Sequence, residues 1–258
     1  MRKLWLIFLA TCTFSSLYSQ EWKIGVINDP DGYTNIRAGK TTKSEVIGKL
    51  LANELFRFAD STAEQWLMIK MTKCNCETSQ HESRQITGFV HKSRIRDVNN
   101  LGNHEMTNLL DGIFRTELDL YNQMLKVVDR TSEEFKRLNR KWTVFHEEQF
   151  DLSLGQFTNY VCVSQDASLT NKFLNIMEVE DGSADEVPTF ALGRLFICRS
   201  EWTFEQIRQH LTLMDQLEWG LVNVVFNMTD DEADVYKTMY NELRKSAGMA
   251  EVDLSKYE

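Results

Sequence analysis

Asp29-Pro30-Asp31-Gly32-Tyr33-Thr34-Asn35-Ile36-Arg37-Ala38-Gly39 sets two turns around one short strand. Pro30 presets φ and Gly32 tolerates positive φ, so the first four residues carry turn chemistry. Asn35-Ile36-Arg37 reads as a strand fragment, and Ala38-Gly39-Lys40 as the next turn. The same texture continues outward. Upstream, residues 22–27 are apolar enough for a first strand. Downstream, residues 45–50 and 54–58 carry β-branched and aromatic side chains. Residues 65–71 alternate, with Trp66, Met68 and Lys70 on one face and Leu67, Ile69 and Met71 on the other. The polar run 72–85 reads as a long hairpin loop, and residues 86–90 close the set. Short strands separated by turns predict a small antiparallel β-barrel over residues 21–98.

Beyond Asn99-Asn100-Leu101-Gly102-Asn103, a turn-rich boundary, the period changes from two to 3.6. Met106, Leu109, Leu110, Ile113, Phe114, Leu118, Tyr121, Leu125 and Val128 recur at helical spacing behind Asn103, a capping residue type. Thr131-Ser132-Glu133-Glu134, Ser183-Ala184-Asp185-Glu186 and Thr229-Asp230-Asp231-Glu232 each read as a capping box. The first leads a stripe of Phe135, Leu138, Trp142 and Phe145. The last leads Val235, Met239, Tyr240 and Leu243, with Gly248 as a stop. A further helix is expected from Ser200 through Met214. The expected fold is therefore α+β in two domains. A β-barrel over 21–98 joins an all-α domain of about seven helices over 99–258.

Charge divides along the same line. Residues 21–98 hold 12 Lys+Arg against 10 Asp+Glu, a net of +2, whereas 99–258 hold 15 against 28, a net of −13. Much of that acidity stands at helix N-termini, where it complements the macrodipole. Phosphate contacts need clustered Lys and Arg, so no nucleic-acid partner is expected.

Residues 1–20 are laid out like a secretory signal peptide: Arg2 and Lys3, the apolar run 4–10, then a small and polar stretch. The run is too short for a transmembrane span, and none is expected elsewhere. Export to the periplasm or the extracellular space follows, with cleavage near Ser19 or Gln20. Leu9-Ala10-Thr11-Cys12 also resembles a lipobox, which leaves a lipid anchor through Cys12 as an alternative. Cys74, Cys76, Cys162 and Cys198 then face an oxidising compartment, and four cysteines allow three full pairings. Cys74 and Cys76 suit a small ring, a distant partner or a metal with His81. Cys162 and Cys198 sit in apolar helical patterns and read as buried thiols, with a mutual bridge as the alternative.

The barrel segments resemble bacterial SH3 domains. Residues 31–39, 46–50, 66–69 and Gly88-Phe89-Val90-His91-Lys92-Ser93 follow that family's strand signatures in order. Lys40 stands where the family often has proline. The resemblance implies a cell-envelope binding module that recognises a wall peptide or an envelope protein. By position its ligand-binding residues are Tyr33, Asn35, Arg37, Trp66, Phe89 and His91. Aromatic faces supply contact area, and Arg grips a carboxylate bidentately. For Trp66 or Phe89 the expected place is the core of a small barrel, with the groove as the alternative.

No HExxH, GxSxG, P-loop or GxGxxG occurs, and no cofactor and no metal are expected, since Cys74, Cys76 and His81 fall short of the four ligands a metal site needs. His104-Glu105 and His146-Glu147-Glu148 lie in helical patterns at positions expected to be exposed. The expected function is that of an exported, non-enzymatic binding protein with a helical scaffold. Two alternatives stay open: a cell-wall hydrolase with its site in the helical domain, through paired carboxylates or a cysteine beside His210, and an inhibitor or immunity-type protein. Oligomeric state and disulfide connectivity are not legible.

Overall fold

The computed structural model describes residues 21–76, 82–180, 186–226 and 228–257. The expected signal segment, Cys12, His81 and the Ser183 capping box lie outside the described residues. Seven strands form one curled antiparallel sheet. They are β1 (Trp22–Ile27), β2 (Tyr33–Arg37), β3 (Val46–Leu51), β4 (Phe56–Ala59), β5 (Trp66–Asn75), β6 (Glu82–His91) and β7 (Ile95–Asp97), in the order β3-β2-β6-β5-β4-β1-β7. The expected long loop is shorter than its composition suggested. Thr72 to Asn75 continue β5 and pair with Gln85 to Glu82 of β6. Polar strand ends of this kind show no alternation of hydrophobicity, so they read as loop.

One apolar face closes the sheet on itself. Ile36, Leu50, Phe56, Phe58, Leu67, Ile69, Met71, Ile86 and Val90 form its core. Gly88 lets β2 cross β6 closely: a Cβ there would lie 2.6 Å from Ile36 Cγ2 and 2.8 Å from the Arg37 carbonyl oxygen.

Eight α-helices follow among the described residues: α1 (Asn103–Leu125), α2 (Glu133–Phe145), α3 (Asp151–Ser164), α4 (Ala167–Glu180), α5 (Glu186–Cys198), α6 (Ser200–Ile207), α7 (Met214–Val225) and α8 (Asp230–Ser246). Their caps follow the sequence. Ser132 Oγ accepts from the Phe135 N–H at 3.1 Å, and Thr229 and Glu232 close a reciprocal capping box. In α1 the cap is Gly102 rather than Asn103, and Glu105 Oε2 accepts its N–H at 3.0 Å. The helix stops at Leu125, so Val128, assigned to its inner stripe, is 95% exposed. Val235 also faces solvent. The helix expected from Ser200 through Met214 breaks after Ile207. His210 Nδ1 and Thr212 Oγ1 both reach Glu178 of α4, at 2.9 Å each, and these tertiary contacts replace helical continuity.

Among the described residues no helix is long and apolar enough to cross a membrane. The helical core centres on Phe114, Phe150, Phe157 and Phe173. It extends into the sheet through Val26, Leu55 and Val98. Between α2 and α3 lies one π-helical turn, His146–Phe150. Gln149 in that turn grips the backbone of Leu55 twice: its Oε1 accepts the Leu55 N–H at 2.7 Å, and its Nε2 donates to the Leu55 carbonyl at 3.0 Å. Beside it, Glu148 accepts from Thr72 Oγ1 at 2.7 Å and faces Arg57 at 3.4 Å.

Candidate functional site

Cross-strand register builds the first site. β5 and β6 pair Trp66 with His91 and Met68 with Phe89, while Leu67, Ile69 and Val90 turn inward. Side chains alternate across a strand, so Trp66 and Phe89 stand half-buried on the outer face. The core role expected of Trp66 or Phe89 is corrected by this register. The Trp66 and His91 rings meet edge to face, 5.3 Å between centroids. His91 Nδ1 lies 2.8 Å from Ser93 Oγ.

β2 adds the other wall. Ile36 points into the core, which turns Asn35 and Arg37 outward. The Arg37 guanidinium is held by donating Nη1–H to the Ser44 carbonyl at 2.8 Å. Tyr33, Asn35, Arg37, Trp66 and His91 line one hollow of about 420 Å³, together with Asp29, Asp31 and Arg94. Asp29 and Arg94 form an ion pair at 3.1 Å across its rim. Phe89 is not brought into this hollow. Its ring lies under the Lys40 ammonium, 5.7 Å from the centroid.

The cysteines pair as Cys74 with Cys76 and Cys162 with Cys198. The latter joins the end of α3 to the end of α5, with Cα atoms 5.9 Å apart. Cys162 is half-buried and Cys198 exposed, so the reading as two buried thiols is corrected. Cys162 and Cys198 are bonded to each other, and His210 is engaged with Glu178.

A second polar cluster lies inside the helical region. Glu117 of α1 is 0% exposed. Its Oε1 accepts from Trp142 Nε1 at 2.7 Å and lies 2.6 Å from His146 Nδ1. Its Oε2 is buried without a hydrogen-bond partner. Glu180, at the end of α4, places Oε2 3.9 Å from the same imidazole nitrogen. The other ring nitrogen, Nε2, faces Asp151 at 3.6 Å. Burial, first, and then the charge and hydrogen bond of Glu117 push the Glu180 carboxyl up to about 9. His146 and Trp142 oppose that shift.

Sequence reading missed this cluster and placed His146 on an exposed face. The signal was present: His146 lies four residues from both Trp142 and Phe150, on the apolar stripe of α2. Glu117 likewise interrupts the stripe between Phe114 and Leu120. Charged residues at core spacing are the pattern that marks such sites.

Comparison with protein-family models, with curated proteins and with solved structures finds no match to this chain.

Proposed function

We propose that the protein is an exported binding protein. Its SH3-like sheet takes an extended peptide segment of the cell envelope, or of an envelope protein, into the hollow on its outer face. The helical region is the scaffold on which that sheet is mounted. The observation that carries this reading is convergence: Tyr33, Asn35, Arg37, Trp66 and His91, drawn from three strands, line one hollow. The wall offers aromatic area and a tethered guanidinium, a pairing suited to a peptide with a carboxylate. Asp31 lines the same hollow and suits an amine. The cysteine pairs support an oxidising compartment.

The hydrolase reading draws on the carboxylates of the helical region. Glu117 is completely buried, so a polysaccharide has no route to it without unfolding of the packed helices.

The test uses the purified full chain. Stem peptides released from peptidoglycan are titrated against it by calorimetry, and whole sacculi are used for co-sedimentation. Binding that Arg37→Ala or Trp66→Ala weakens at least tenfold supports the proposal. Absence of binding to both ligands, or clearing of sacculi by the wild-type chain, overturns it.

A further inference from the structure

Two buried glutamates of the helical region are treated in opposite ways. Glu218 of α7 is 1% exposed and is fully compensated. Its Oε1 accepts from Tyr240 Oη at 2.9 Å and from Arg244 Nη1 at 2.7 Å, and Lys256 lies 3.3 Å from Oε2. Glu117 is as deeply buried, and its ion-pair partner among the described residues is one imidazole. A second carboxyl group, Glu180, with a side chain 9% exposed, stands at the same spot. Its Oε1 is also buried without a hydrogen-bond partner. Uncompensated charge at this depth costs several kcal/mol per ion, so the fold has a reason to bring in positive charge from elsewhere.

We infer that Glu117, His146 and Glu180 bind one divalent first-row transition-metal ion, with Asp151 orienting the imidazole. One donor atom from each of the three lies within 4.8 Å of the others. Donors about 2.1 Å from a cation stand roughly 3–4.2 Å apart, so on binding the 2.6 Å contact between Glu117 Oε1 and His146 Nδ1 opens, Nδ1 gives up its proton, and the more distant donors draw in. Roles follow from the contacts. Glu117 keeps Oε1 on the Trp142 N–H and turns the unpartnered Oε2 to the ion. His146 coordinates through Nδ1, the nitrogen between the two glutamates. Its Nε2 stands 3.6 Å from Asp151 Oδ1, beyond hydrogen-bond length, and a small turn of the ring on binding completes the carboxylate–histidine–metal arrangement that fixes ring orientation and basicity. Two carboxylates and one imidazole are a mixed oxygen and nitrogen set, suited to Mn²⁺, Fe²⁺ or Zn²⁺ better than to Ca²⁺. The Asp151 side chain, 20% exposed, marks the side from which the ion enters. The π-helical turn that carries His146 supplies the local backbone departure often found at such centres.

The experiment strips the full chain with a chelator and adds back Mn²⁺, Zn²⁺ or Ca²⁺ separately. Bound metal is counted after gel filtration, affinity is read by calorimetry, and circular dichroism reports folding. One Mn²⁺ or Zn²⁺ per chain is expected, bound at least tenfold more tightly than Ca²⁺. Glu180→Gln, nearly isosteric, should keep the native spectrum and lose at least tenfold in affinity. His146→Asn should do the same. Glu147→Gln, an exposed carboxylate next to His146, should bind as the wild type does. A folded wild-type chain that takes up no Mn²⁺ or Zn²⁺ overturns the inference, as does equal affinity in Glu180→Gln and Glu147→Gln.

Discussion

The sheet and the helices handle polar groups in opposite ways. The sheet keeps an all-apolar interior and presents Tyr33, Arg37, Trp66 and His91 on its outer face, beside a hollow. The helical region carries the acidity of the chain and takes some of it inside, at Glu117, Glu180 and Glu218. A strand separates its two faces by strict alternation. A helix has one stripe, and a charge that falls on it is buried with its neighbours. The comparison teaches where to look for function in each: on the surface of the sheet, and in the interior of the helices.

Four perturbations test that contrast, in descending order of expected effect. Phe173→Ala empties the centre of the helical aromatic cluster and should cost about 3–5 kcal/mol. Urea denaturation should show one transition moved as a whole, because Val26, Leu55 and Val98 tie the sheet into that core. A sheet transition left at the wild-type midpoint would mean that the two regions are energetically separate. Gln149→Ala strands the buried N–H and C=O of Leu55 and should cost about 2–4 kcal/mol, measured by the same melts. A loss under about 1 kcal/mol would show that water replaces both bonds and that the junction is loose. Thr229→Ala removes the cap of α8 and should cost about 1 kcal/mol, with hydrogen exchange rising first in the opening turn. Trp66→Ala, on the outer face, should change stability by under about 1 kcal/mol while abolishing peptide capture. A larger loss of stability would return Trp66 to a structural role and blur the contrast.

Legibility followed the same division. The alternation of residues 66–71 placed every one of those side chains on its correct face, and the turns at Gly32 and Gly39 bounded β2 correctly. Five of the six expected ligand-binding positions meet in one hollow, because β-register converts sequence spacing into proximity. The helical caps at Ser132 and Thr229 were equally plain, being local chemistry. Tertiary compensation was not visible. Nothing in residues 206–214 announces that His210 will leave its helix for Glu178. Nothing next to Glu117 announces Glu180, which is brought in by a helix sixty residues on. The polar ends of β5 and β6 gave no sign of pairing, because strand partners, not hydrophobicity, hold them.

The π-helical turn has a consequence for length rather than for chemistry. α2, the turn and α3 form one helical rod over residues 133–164, about 48 Å long at an ordinary helical rise. A π-turn wraps one surplus residue into a single wider turn, here within 146–150. The residues beyond it keep the phase of an unbroken α-helix one residue shorter. Leu154, Phe157 and Val161 therefore stay on the interior side, while His146 and Gln149 gain the local displacement that takes them to Glu117 and Leu55. Removing one residue there would leave the downstream face inward and withdraw those two grips. The turn is a slack loop in a taut rope: it lends reach at one point without twisting the rest.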